Sequence, residues 1–225
     1  KDAVGLVLRS RFKLDFNFLS EASQLKFIAR SGAGLENIDM DYCIDNDITV
    51  YNAPEGNRNA VGEHMLGMLL SLFHKIHVSA EEVKRGKWNR EGNRGIELEG
   101  KTVGIIGYGN NGAEFAKKLR GFDVKILAYD KYKNGFGTTF VKEVSMDTIY
   151  EEADVLSLHI PQNKETISLV NEDFINSFQN QIYILNGSRG RILKTSALVK
   201  GLESKKILGA CLDVLEYEKS SFESF

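Results

Sequence analysis

Short apolar, β-branched runs alternate with segments of helical period along the whole chain. The runs are Val4–Leu8, Leu25–Ala29, Ile48–Tyr51, Thr102–Ile106, Val124–Tyr129, Val155–His159, Ile182–Leu185 and Ile207–Val214, most of them bounded by Gly, Asn or Asp. Runs that are apolar on both faces suit strands of a buried parallel sheet. The longest helical segment begins near Asn57 and carries Val61, Met65, Leu69, Leu72 and Ile76 at helical spacing. Others start after Asn110, near Ser145, around Asn171 and at Thr195. Strand and helix in alternation predict an α/β fold with a doubly wound parallel sheet. The polar, Gly-rich stretches 85–100 and 131–139 are the least regular, and no flexible linker or repeat is visible.

Composition narrows the partners. The 225 residues are 42% hydrophobic and 27% charged with a formal net charge of -2, ordinary for a soluble domain. With no basic block, nucleic acid and anionic membranes are not expected partners. No apolar run reaches the roughly 20 residues of a membrane span, and the first residues do not read as a signal peptide. Cys43 and Cys211 have no metal-ligand spacing and are expected as reduced thiols in the cytoplasm.

One motif carries chemistry by itself. Gly107–Gly112 reads G-x-G-x-x-G, directly after the run Thr102–Ile106 and at the start of a helical segment. In that setting Gly107 permits the tight turn, Gly109 lets the backbone approach a pyrophosphate, and Gly112 lets helix pack on strand. A helix N-terminus then offers free N–H groups to the phosphates. Asp130 ends the next run, about 20 residues on, where an acid binds the adenosine ribose hydroxyls and repels a 2′-phosphate. NAD is therefore expected over NADP, a preference weakened by Lys131 and Lys133 nearby. Residues 1–106 precede the motif and also alternate strand with helix, which predicts a separate lobe in front and a substrate cleft between lobes.

Further blocks bring a family into view: Arg30–Asp39, Asn52–Asn57, Ala60–His64, Glu97–Gly107, Ala153–His159, Asn186–Gly190 and Gly209–Val214. In this order they resemble the D-isomer-specific 2-hydroxyacid dehydrogenases over essentially the whole chain. The resemblance implies a Rossmann-type NAD domain at 56–225 and a smaller, flavodoxin-like α/β substrate lobe at 1–55, incomplete here. It implies a chain that is part of a longer protein. It also assigns roles. Arg189 would hold the substrate carboxylate and polarise the carbonyl oxygen. Glu218, five positions after Asp213, would hydrogen-bond the imidazole of a catalytic histidine, although it sits among Glu216, Tyr217 and Lys219, where a slip of register names a different acid. The family places that histidine tens of residues after the glutamate, so it falls beyond residue 225. His64, His74 and His77 are expected to be structural or solvated. His159 and Ile160 would line the cofactor, Asn110 and Asn111 contact the pyrophosphate, Gly187 and Ser188 pass close to the cofactor, and Asp213 hold the carboxamide. Gly32, Ala33 and Gly34 would form the loop where substrate and nicotinamide meet.

Within the family, similarity is greatest to members acting on 3-phosphoglycerate, which implies a step of serine biosynthesis. Their substrate phosphate needs cations, and Arg9, Arg30 and Arg90 are the candidates, the last reaching the site of a second subunit. Glycerate, hydroxypyruvate and lactate are the alternative substrate types. Relatives use the segment from Asn57 to form a homodimer. Some relatives are NAD-sensing corepressors, a reading that the presence of both Arg189 and Glu218 disfavours.

Overall fold

Three short apolar runs build the first sheet. The computed structural model describes residues 2–218, and the chain divides into two units, Lys1–Asn59 and Ala60–Phe225. In the first unit the order is β1 (Gly5–Leu8), α1 (Phe16–Ser20), β2 (Phe27–Arg30), α2 (Met40–Asp45) and β3 (Thr49–Asn52). The strands pair in parallel in the order β1-β2-β3. Both helices start where an aspartate takes an otherwise unpaired N–H: Asp15 accepts from Phe18 N at 3.2 Å and Asp39 from Tyr42 N at 3.0 Å. Leu19 of α1 and Cys43 of α2 then pack on Ile28 of the central strand in a small core.

The second unit contains α3 (Arg58–Phe73), whose first two residues fall in the first unit, then α4 (Ile76–Lys84), β4 (Thr102–Ile106), α5 (Asn110–Lys118), β5 (Lys125–Tyr129), β6 (Lys142–Glu143), α6 (Met146–Glu152), β7 (Val155–Leu158), α7 (Glu172–Asn176), β8 (Ile182–Asn186), α8 (Thr195–Glu203) and β9 (Ile207–Leu212). The six strands lie in the order β6-β5-β4-β7-β8-β9, all parallel. Because side chains alternate across a strand, the sheet feeds two cores. Ile106, Leu156, Leu158 and Ile184 face one, with Ile149, Phe174 and Leu198 from α6, α7 and α8. Val103, Ile105, Val155 and Leu185 face the other, with Met65 and Leu69 of α3 and Phe115 of α5. This is the doubly wound Rossmann arrangement, and the winding reverses between the neighbouring strands β4 and β7.

Besides shifts of one or two residues at strand ends, such as β2 at Phe27–Arg30 for the run Leu25–Ala29, the elements differ from the pattern in three places. The long helical segment does not run through to Ile76: it stops at Phe73, Lys75 turns left-handed at φ 50°, and α4 begins afresh. Ile76 thus leaves the buried stripe of Met65, Leu69 and Phe73 and lies 54% exposed. The run Ile207–Val214 is strand only to Leu212; Asp213 N still donates to Asn186 O at 3.0 Å, and the chain bends at Asp213 and Val214. The edge strand β6 is too short and polar, Lys142-Glu143, to leave a signal. Among the described residues no helix is long and apolar enough to cross a membrane.

Candidate active site

The carboxyl ends of β4, β5 and β7 surround a cavity of about 330 Å³ lined by Gly107, Gly109, Asp130, Lys131, Tyr132, His159, Ile160 and Glu165 among others. Gly107 follows β4 with φ 91°, a region that strains any residue with a Cβ. A Cβ there would also meet the His159 carbonyl oxygen at 2.6 Å. Gly112, in the first turn of α5, packs on the backbone of Gly107, where a Cβ would overlap the Gly107 carbonyl oxygen. Gly109 is different: open space surrounds its Cβ position. It is the N-cap of α5 and makes no side-chain cap, which leaves the first N–H groups of α5, from Asn110 onward, without a side-chain acceptor at this end of the helix. Asn111 Oδ1 is buried and has no hydrogen-bond partner among the described residues. An unmet buried acceptor costs about 1–3 kcal/mol, which a ligand hydroxyl or amide hydrogen at this position would offset. The cradle therefore fits a dinucleotide.

Asp130 is oriented by the same loop. Its Oδ2 accepts from Tyr108 N and its Oδ1 from Tyr132 N, each at 2.9 Å, so the carboxylate stands beside the glycine turn. Across the cavity, His159 Nε2 lies 2.8 Å from Ser157 Oγ, and its ring packs 5.4 Å from Phe115. Burial pushes its pKa down to about 4, so the imidazole is neutral near pH 7.

The second group of candidates lies after β8 and β9. Asn186, fully buried at the end of β8, ties the following loop to itself: Oδ1 accepts from Ser188 N at 3.1 Å and from Ser188 Oγ at 2.9 Å, and Nδ2 donates to Arg189 O at 3.0 Å. Gly187 backs onto Met65 of α3. Arg189 is extended, and its Nη1 donates to Ser188 O at 2.7 Å. Gly190 sits so close to Leu215 that a Cβ would overlap its carbonyl oxygen. That contact brings the arginine loop against the turn containing Glu216 and Glu218. The two acids have different tasks there. Glu216 Oε2 accepts from Thr195 N at 2.7 Å, capping α8 from a distance, and this hydrogen bond lowers its pKa. Glu218 is exposed, and its Oε2 accepts from Leu215 N at 3.1 Å. Asp213 Oδ1 lies 3.1 Å from His64 Nε2, both side chains about half exposed.

In the first unit, Arg9 follows β1 and Arg30 ends the neighbouring β2. Asn37 links them: its Oδ1 accepts from Arg30 Nε at 3.4 Å and its Nδ2 donates to Arg9 O at 3.5 Å and Phe12 O at 2.8 Å. The Arg30 guanidinium packs over Gly32, and the Ala33 carbonyl of the Gly32–Gly34 loop accepts from Asn52 Nδ2 at 2.7 Å. Arg90 is exposed in the loop after α4, apart from the other candidates in sequence and element.

Residues 66–224 match the model of the NAD binding domain of D-isomer specific 2-hydroxyacid dehydrogenases. The chain belongs to this family. A D-3-phosphoglycerate dehydrogenase of Archaeoglobus fulgidus is 37% identical over 219 residues, covering 96% of this chain and 42% of that protein. A hydroxypyruvate reductase of Thermotoga maritima is 36% identical over 218 residues, covering 97% of this chain and 71% of its own length. Among solved structures, an Aquifex aeolicus D-lactate dehydrogenase complexed with NAD and lactic acid superposes with a TM-score of 0.85 at 32% identity, covering 96% of this chain and 66% of that one. The chain thus spans less than half the length of the Archaeoglobus relative. The matched family model is that of an NAD binding domain, and Gly107, Gly109 and Asp130 line the cavity at the ends of its strands.

Three residues of this chain escape a reading of motifs. Asn186 stands inside the quoted Asn-Gly-Ser-Arg block but shows its task only through its hydrogen bonds. His64 meets Asp213 across 149 residues of sequence, a pairing that no local spacing announces. Glu165 enters the cavity from the loop after β7, and nothing in Asn163-Lys164-Glu165-Thr166 marks it.

Proposed function

We propose that this protein oxidises a D-2-hydroxy acid to the 2-keto acid with NAD, and that the acid is 3-phosphoglycerate, giving 3-phosphohydroxypyruvate. The observation that carries the dehydrogenase reading is the Asn186-anchored loop, with Gly190 pressed on Leu215. It holds Arg189 next to the Glu218 turn at the same sheet end as the glycine cradle. Bound NAD supplies the hydride acceptor. The planar fork of Arg189 holds the substrate carboxylate and stabilises charge on the oxygen. Glu218 accepts a hydrogen bond from the proton-carrying histidine and favours its charged form. His159 does not suit that role, since burial keeps it neutral and Ser157 engages its Nε2. Asp213, beside His64, is the acceptor for the carboxamide.

The substrate reading rests on Arg9 and Arg30, two cations at one end of one sheet, linked through Asn37. They suit a phosphate group, and the name of the Archaeoglobus relative supports this. The names of the Thermotoga and Aquifex proteins support unphosphorylated acids instead, so an assay must discriminate. NADH formation by the full-length protein is expected to be fastest with 3-phosphoglycerate, against glycerate and D-lactate. Arg30→Ala should lower kcat/KM for 3-phosphoglycerate by about 10–100-fold, the scale of a lost charge-assisted hydrogen bond, and change glycerate turnover much less. Equal losses on both acids, or turnover of glycerate or lactate alone, would contradict the phosphate role.

A further inference from the structure

The cavity holds a charge arrangement that the fold does not require. Lys131 and Tyr132, directly after Asp130, form one rim, and Glu165, in the loop after β7, forms the other. Glu165 Oε2 accepts from Lys131 Nζ and from Tyr132 OH, both at 2.6 Å. Its carboxylate is presented by a stiff turn. Asn163 Oδ1 accepts from Glu165 N at 2.9 Å and from Thr166 N at 3.0 Å, and Thr166 Oγ1 donates to Pro161 O at 2.7 Å. Tyr132 is fixed in turn by Tyr132 N on Asp130 Oδ1.

A lysine next to the ribose-binding acid is the natural partner of a 2′-phosphate, because it offers a point charge on a flexible stem. Here that charge is already engaged. We infer that Glu165 is a specificity-determining residue of the cofactor site, which holds Lys131 across the adenosine end of the cavity and so denies it to a 2′-phosphate. Asp130 repels such a phosphate directly, and Glu165 acts beside it in two ways. It removes the cation that would offset that repulsion, and it adds a second carboxylate facing the same space. An incoming 2′-phosphate has to break the ion pair with Lys131 and the hydrogen bond from Tyr132. The ribose hydroxyls of NAD need break neither. The inference rests on the reading of this cavity as the dinucleotide site.

NADH and NADPH differ only in the 2′-phosphate, so the ratio of their dissociation constants isolates the effect. Both are titrated into this chain by nicotinamide fluorescence, for the native protein, Glu165→Gln, and Glu165→Gln combined with Lys131→Met. Glutamine keeps the side-chain length and a hydrogen-bond acceptor for Tyr132 but releases Lys131. The ratio of NADPH to NADH dissociation constants is expected to fall by about fivefold in Glu165→Gln, the scale of one exposed charge pair. It should return toward the native value in the double variant, and the fall should shrink as salt is raised. A merely structural role for Glu165 would move both constants together. A ratio within about twofold of native, or a gain in NADPH affinity that survives loss of Lys131, would overturn the inference while leaving the cofactor site intact. Failure of the native chain to bind NADH would overturn the cofactor reading of the cavity, and the inference with it.

Discussion

At the scale of single residues, the glycine turn separates what the fold needs from what the ligand needs. Gly109 has φ -89° and open space around its Cβ position, so Gly109→Ala should change unfolding free energy by less than about 0.5 kcal/mol. The methyl group would stand where the pyrophosphate approaches, and NADH affinity should fall about tenfold or more. Gly112→Ala should behave in the opposite sense. Alanine is the better helix former, by about 1 kcal/mol, but its Cβ would overlap the Gly107 carbonyl, and forcing such a contact costs about 1–3 kcal/mol. Steric overlap wins, and denaturant unfolding should show a destabilised protein. The motif already gives the two glycines these different tasks, and the packing around them agrees. His159 gives a second residue-scale test. Its folded pKa, about 4, lies below the 6.5 of an unfolded histidine, so the folded state resists a proton that the unfolded state takes. The stability this represents is fully present above pH 6.5 and is lost as pH falls from there toward 4. Its size is about 3 kcal/mol, from 1.36 kcal/mol per pKa unit. Urea unfolding at pH 7 and pH 4.5 should show a smaller acid loss in His159→Asn than in the native protein. Equal losses would contradict a neutral, partly buried imidazole.

At the scale of elements, the central strands were legible because they are apolar on both faces, and Thr102–Ile106 and Val155–Leu158 sit where the pattern puts them. Helix starts at Ser145 and Asn171 were legible for a local reason, since each side chain caps its own helix. What the pattern hides is set by distant partners or by one backbone angle. Lys75 breaks the long helix through a left-handed φ that a lysine does not advertise, although its Nζ then reaches Gly92 O at 2.7 Å. The α8 cap is hidden too. No residue next to Thr195 caps that helix; Glu216, 21 residues later, does. This separates the two acids that one slip of register confuses. Glu216→Gln should lower stability by about 1 kcal/mol, as loss of a charged N-terminal cap does, with little effect on kcat. Glu218→Gln should leave the melting temperature nearly unchanged and lower kcat, with its pH profile altered. Thermal melts and pH–rate profiles of both variants check the assignment, and the reverse pattern would make Glu216 the catalytic acid.

At the scale of the whole molecule, the sequence carried the larger unit almost completely, because a doubly wound sheet is written in repeated strand-helix-strand units and one glycine turn. The candidate site residues were legible where they follow strand ends, as Asp130, Arg189 and Asp213 do. They were not legible where they depend on contacts between remote loops, as for Glu165 on Lys131 and His64 on Asp213. The loops at the carboxyl ends of the strands collect nearly all of these groups, which is where ligands bind in open α/β sheets. The first unit repeats the logic on a smaller scale, with Arg9, Arg30 and the Gly32–Gly34 loop all following strand ends. The reaction proposed at these loops is oxidation of a 2-hydroxy acid by NAD with the acid held by Arg189. It is tested most directly by steady-state kinetics of the full-length protein with NAD and 3-phosphoglycerate, native against Arg189→Lys. Lysine keeps the charge but loses the planar fork. In Arg189→Lys, kcat/KM is expected to fall by about a hundredfold or more, the scale of losing a group that stabilises developing charge, while NADH affinity changes far less. Undiminished turnover in Arg189→Lys would contradict it.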